Sequence, residues 1–204
     1  MKLYYAKDSC ALAPHIALEE ANAHYSAIAV DLAAGQQRSS DYLKINSKGR
    51  VPSLITDQGV LTETPAILNY IARLHPAATL IPIGDPYSLA LADSFNSYLC
   101  STVHVAHAHG ARGERWVNDE STFAAMKAKV PETMTASFEL IQSELFRGPW
   151  VLGSQYSVCD AYLFTICRWL AWDNVNLSDF PRIATHFETM SARPAVQRVM
   201  LLHA

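Results

Sequence analysis

The sequence predicts a two-part chain, an α/β unit of order β-α-β-α-β-β-α followed by an all-helical unit. Three observations carry this. The first eighty residues mix short runs of period two with runs near the helical period. Residues 75–86 contain Pro76, Pro82, Gly84 and Pro86 without periodicity, which marks a linker. After Tyr87 only helical spacing recurs. At 204 residues the chain fits one or two compact units, so domains at 1–78 and 86–204 are expected.

Lys2-Leu3-Tyr4-Tyr5 reads as a strand and Lys7-Asp8-Ser9 as a turn. From Cys10 to Ala21, Leu12, Ile16 and Leu18 recur at helical spacing. Asp8 or Ser9 is placed to cap that helix, Pro14 falls in its first turn, and His15, Glu19 and Glu20 are expected to face outward. Residues 25–32 alternate as a second strand, and a polar stretch leads to a short helix over 42–45. Val51 to Ile55 and Val60 to Thr62 flank Asp57-Gln58-Gly59 as a hairpin, and Glu63-Thr64-Pro65 opens a helix to Leu74. Helices are expected over 89–109, 121–146, 160–172, 180–191 and 195–202. Ser157-Val-Cys-Asp160 reads as a capping box, which makes Asp160 structural.

Composition narrows the function classes. Hydrophobic residues are 50% and charged residues 17%, the profile of a chain with a real core. The net charge is −3 and no run of Lys and Arg occurs, which argues against nucleic acid as a partner. Charges at Lys2, Lys7, Asp8 and Glu19 interrupt any apolar leader or span, so no membrane association and a cytoplasmic location are expected. Four cysteines without a C-x-x-C pair imply reduced thiols.

Several residues suggest chemistry. Val51-Pro52 before a strand suggests a cis proline, which would turn a backbone N–H and C=O outward to pair with an extended peptide. Glu63-Thr64 opens a helix, where free N–H groups and the dipole favour an anion. Cys10 at a helix start is in the setting that lowers a thiol pKa, whereas Cys100, Cys159 and Cys167 lie in apolar helical surroundings and read as packing. His104 and His107 share a helix face, but His109 lies off it and nothing nearby completes a ligand set, so no metal is expected; these histidines, with Arg112 and Arg115, are expected to line a cleft or a subunit interface, where His104 is placed to assist as acid or base.

Met1 to Pro76 resembles the N-terminal domain of bacterial glutathione transferases of the cysteine-bearing beta class, and the helical part matches in outline. The resemblance rests on Lys2-Leu3-Tyr4-Tyr5 with Cys10, Ala13 to Leu18, Asn46-Ser47-Lys48-Gly49-Arg50-Val51-Pro52, Thr62-Glu63-Thr64, and Val158 to Phe164. It implies the glutathione transferase fold, a thioredoxin-like N-terminal domain with a helical C-terminal domain. It further implies glutathione as co-substrate without a metal, conjugation to small hydrophobic electrophiles, and a homodimer joined through the long helices.

By that resemblance Arg50, Val51, Pro52, Glu63 and Thr64 bind glutathione. Val51 meets its cysteinyl backbone, Thr64 its γ-glutamyl carboxylate, Glu63 its ammonium and Arg50 its glycyl carboxylate. Cys10 and His104 frame the sulfur. Tyr5 and Ser9 are neighbouring hydroxyls able to substitute as activators, although Tyr5 also reads as a packed strand residue. The pattern departs at Val105, where the family has lysine after the histidine, near Gly35, where another lysine is absent, and at Arg50, often glutamine. Two alternatives stand beside conjugation: thiol-disulfide exchange through Cys10, and a non-catalytic binding protein on the same fold.

Overall fold

The computed structural model describes residues 1–203. β1 (Lys2–Tyr5) runs parallel to β2 (Ser26–Ala29) and antiparallel to β3 (Ser53–Thr56), which turns back into β4 (Gly59–Thr62), giving the sheet order β2-β1-β3-β4. The last bond along β2 is from the Val30 N–H to the Tyr5 carbonyl at 2.7 Å, so the second strand is shorter than its alternating pattern suggests. α1 (Leu12–Glu20) and α3 (Thr64–Leu74) pack together, and α2 (Ser40–Ile45) lies in the connection to β3.

α1 departs from expectation in two ways. It begins later than Cys10, because Asp8 adopts a left-handed φ of 58° and residues 8–11 form a turn. Neither expected residue caps it: Ser9 Oγ accepts from the Ala11 N–H at 3.3 Å, while Asp8 pairs with Arg168 at 3.2 Å. Moreover, every residue from Leu12 to Leu18 is buried, His15 included. His15 does not face solvent because α9 covers that side of α1. Glu19 and Glu20 are half-buried and pair with Arg198 and Arg193 at 2.8 and 2.6 Å.

The helical region starts at α4 (Pro86–Tyr98), capped by Asp85, which accepts from the Tyr87 and Ser88 N–H groups. A π-helical segment, Leu99–Val103, separates α4 from α5 (His104–Ala111), where one continuous helix was expected. α6 (Glu120–Leu140) also ends in a π-helical segment, Ile141–Leu145. α7 (Val158–Cys167) is buried at all ten positions and is the central helix. Its start is the capping box anticipated at Ser157 and Asp160. The buried Asp160 also accepts from the Val151 N–H at 2.8 Å and lies 2.9 Å from His186 Nε2. α8 (Pro181–Ser191) and α9 (Pro194–Leu202) complete the chain.

One apolar core runs through both regions, joining Leu3, Leu54 and Ile71 to Phe138, Tyr162 and Ile166. α7 packs on α1, and Trp169 Nε1 donates to the Asp8 carbonyl at 3.1 Å. Burial therefore fixes the two regions against each other and fixes the groove between them.

Candidate active site

A cleft of about 560 Å³ opens between the α/β region and α5. Its α/β wall is made by loop ends. Val51 and Pro52, joined by a cis peptide, precede β3, and both line the cleft. The loop is held from behind: the Tyr42 hydroxyl and Asn46 Nδ2 donate to the Arg50 carbonyl at 2.8 and 2.7 Å, and both contact Ser53 Oγ at 3.1 Å. Tyr42, Asn46 and Ser53 are buried, so this polar network has little freedom to move.

Thr62, Glu63 and Thr64 form the next part of the wall. Glu63 has φ 72°, a region costly for a residue with a Cβ, and no side chain caps the start of α3. The N-terminal N–H groups of α3 thus end at the cleft without a side-chain acceptor, the arrangement that suits an anion. Glu63 Oε1 is 2.6 Å from Lys48 Nζ, which also donates to Thr62 Oγ1 at 2.8 Å. The sequence reading left Lys48 out, although its place beside Gly49 in the turn brings it to β4.

Cys10 also lines the cleft, with Sγ 3.7 Å from the Val51 carbonyl. Its thiol is not the acidified one expected of a helix start. Burial pushes its pKa up, against the smaller opposing effects of Thr64 and Arg112. The helix begins two residues further on, so the dipole does not act on the sulfur at close range. At neutral pH Cys10 is a thiol and a hydrogen-bond donor.

The facing wall comes from the helical region. His104 at the start of α5 lines the cleft, with its ring 4.7 Å from that of Trp169. Its pKa falls to about 3, first through burial and then through Arg112 and His107, so the imidazole is neutral at physiological pH. His107 is turned inward, stacked on Trp169 and 2.8 Å from Asp173, and His109 packs on Trp116. Those two histidines are structural. Arg112 and Arg115, beyond the end of α5, reach the cleft with Trp116.

Tyr5 lies elsewhere. It is buried, and its hydroxyl donates to the Leu202 carbonyl at 3.2 Å, so it is packed in β1 and is no activator. Cys100, read as packing, lines the cleft together with Tyr162. Cys100 is half-buried there, and Tyr162 presents a buried hydroxyl beside the Cys100 thiol, with which it interacts. Helical periodicity gave no signal for Cys100, since an apolar face looks the same whether it meets a core or a cavity.

Comparison with known proteins gives this geometry a family. Residues 1–73 match the glutathione S-transferase N-terminal domain and residues 106–194 the C-terminal domain. The chain belongs to the glutathione S-transferase family. A glutathione transferase homolog from Sulfitobacter, solved with bound glutathione, is 44% identical with a TM-score of 0.95, covering 98% of this chain and 97% of that one. Glutathione S-transferase GstA of Escherichia coli O157:H7 is 30% identical over 97% of this chain and 96% of its own length. A maleylacetoacetate isomerase of Pseudomonas aeruginosa is 27% identical over 97% of this chain and 94% of its own length. Among the described residues, no helix of this transferase is long and apolar enough to cross a membrane.

Proposed function

We propose that this protein ionises the thiol of glutathione in the cleft and transfers the resulting thiolate to a small electrophile held against α5. The observation that carries this reading is the convergence of Val51, Glu63, Thr64, Cys10 and His104 on one cavity of tripeptide size. The free N–H groups of α3 and the Thr64 hydroxyl receive the γ-glutamyl carboxylate. Glu63 receives the ammonium, sharing its carboxylate with Lys48. Val51 pairs with the cysteinyl backbone as an added strand would, and Arg50 meets the glycyl carboxylate.

The sulfur then lies near Cys10, His104 and the Tyr162 hydroxyl. Each of these donates a hydrogen bond that favours thiolate over thiol, and the neighbouring guanidinium of Arg112 adds a favourable field. Arg112 thereby takes the place of the family lysine that is Val105 here. Nucleophilic attack on the electrophile needs little more, because glutathione is a good nucleophile once ionised. The raised pKa of Cys10 favours this reading over thiol-disulfide exchange, which needs a Cys10 thiolate as attacking group. A homodimer assembled through the long helices is part of the same proposal.

Titration calorimetry of glutathione into wild type and Glu63→Ala tests the site. Micromolar to millimolar binding by the wild type is expected, with affinity at least roughly tenfold weaker in the variant, the effect of losing a hydrogen-bonded charge. Absence of binding to the wild type would overturn the transferase reading.

A further inference from the structure

The cleft carries more cationic side chains than glutathione has carboxylates to meet. Arg38, Arg50, Arg112 and Arg115 all line it, and none of the four makes an ion pair among the described residues. The acidic residues facing them are Glu63, already engaged by Lys48, and Glu114. The guanidiniums feel one another: the pKa of Arg115 is lowered, first by burial and then by Arg112 and Arg50, with Glu114 opposing. A set of like charges left unpaired in a protein cleft raises the local concentration of anions and is relieved when one binds.

The glutathione reading above uses part of this charge. It assigns the γ-glutamyl carboxylate to the start of α3 and the glycyl carboxylate to Arg50, with Arg38 on the same side, and asks of Arg112 only a field at the thiolate, which leaves its hydrogen-bond donors unused. Arg112 and Arg115 stand on the other wall, on a turn that is itself well fixed. Arg112 follows the end of α5. The Arg115 N–H donates to the Arg112 carbonyl at 3.0 Å and the Trp116 N–H to the Gly113 carbonyl at 2.9 Å. Phe123 of α6 sits so close to Gly113 that a β-carbon there would lie 1.9 Å from its ring. Trp116 packs edge-on against His109 at 4.5 Å and leaves 47% of its surface exposed beside the two arginines. Two guanidiniums and an aromatic plane on a braced turn make a preorganised site for a planar, negatively charged compound.

We infer that the electrophile carries a carboxylate, which Arg112 and Arg115 hold while the reactive carbon faces the glutathione sulfur. This inference rests on the glutathione-transfer reading. It replaces the hydrophobic electrophile expected from the resemblance with an acidic one, and it gives Arg115 a role in specificity.

The pair 4-chloro-3,5-dinitrobenzoate and its methyl ester tests it. In both, the thiolate attacks the chlorine-bearing carbon. The C–S bond forms, the C–Cl bond breaks, chloride leaves with the electron pair, and the thiol proton goes to solvent. Values of kcat/KM, each divided by the uncatalysed rate of its own probe with glutathione, are compared for wild type, Arg112→Gln, Arg115→Gln and Arg115→Lys.

Wild type is expected to favour the acid by roughly tenfold or more, as a charge-assisted contact implies. The Gln variants lose that preference, and Arg115→Lys retains part of it. Equal use of acid and ester by wild type would overturn the inference, as would a preference that survives in both Gln variants. So would Gln variants whose main defect is weaker glutathione binding by calorimetry, because the arginines would then belong to the co-substrate. Failure of wild type to bind glutathione at all would sink the transfer reading and this inference with it, and calorimetry separates that case from the others.

Discussion

The two walls of the cleft are built by different means. The α/β wall presents backbone and helix-terminus groups alongside the Arg50, Glu63 and Thr64 side chains, held by the Val51-Pro52 turn, the φ 72° of Glu63 and the buried Tyr42, Asn46 and Ser53 network. The helical wall presents side chains on α5 and the turn after it: His104, Arg112, Arg115 and Trp116. The backbone part of the α/β wall changes little when side chains are exchanged, which suits an invariant co-substrate. A surface made of side chains is rewritten one residue at a time, and that suits a second substrate that differs between relatives.

If that division holds, perturbations of the helical region should leave tripeptide recognition alone. The largest effect is expected from Asp160→Ala. The change strips the cap from α7, orphans the Val151 and Ser157 N–H groups and leaves buried His186 without its partner. A loss of roughly 3–5 kcal/mol is expected in urea unfolding at neutral pH. Glutathione affinity of the folded protein, measured by calorimetry at low temperature, should change less than about threefold, within the scatter of weak indirect effects. A large drop in affinity with intact stability would break the comparison.

A second, smaller effect concerns the seam between α1 and the end of the chain. His15 Nδ1 and His203 Nε2 are 3.0 Å apart, and both rings are buried, each with one nitrogen that has no partner among the described residues. Burial lowers their pKa values to about 4 and about 3, so both are neutral when folded, whereas an unfolded histidine titrates near 6.5. The folded state therefore binds fewer protons. Its advantage is complete above the unfolded value and is lost as pH falls below it towards 4, at up to roughly 1.4 kcal/mol per pH unit for each imidazole. Urea midpoints between pH 7 and pH 4.5 should fall, and less steeply in a His15→Phe, His203→Leu double variant. Parallel slopes in the two proteins would rule out this pair as the source.

The smallest effect sharpens the chemistry at the meeting of the walls. Cys10→Ser preserves a donor toward the glutathione sulfur, so conjugation of 1-chloro-2,4-dinitrobenzene should fall less than about fivefold, the order of one neutral hydrogen bond exchanged for another. Reduction of a mixed glutathione disulfide, where present in the wild type, should vanish. Loss of conjugation alongside it would make Cys10 a nucleophile.

The same contrast explains what the sequence disclosed. The βαβαββα order, the hairpin, the Val-Pro turn and the Ser157–Asp160 box are local signals, each written in a few adjacent residues whose conformational preferences agree. His15 was misread because its helix has a second apolar cover supplied by α9, almost the whole chain away. The π-helical segments at 99–103 and 141–145 left no mark, since both sit in uninterrupted helical spacing. Cys100 looked like core because cavity and core share one composition. Arg112 and Arg115 were expected at a cleft or a subunit interface, and only the fold turns them towards the same space as Val51.

The close approach of Phe123 to Gly113 also constrains how this protein can change by mutation. Arg112 and Arg115 are at the surface of the turn and can be exchanged singly, so the charge of the cleft can drift in small steps. Any residue larger than glycine at 113 requires the Phe123 ring to leave its place first. The order of substitutions is therefore set: lineages that keep the aromatic ring at 123 inherit the shape of this turn, and with it the positions from which new side chains must act.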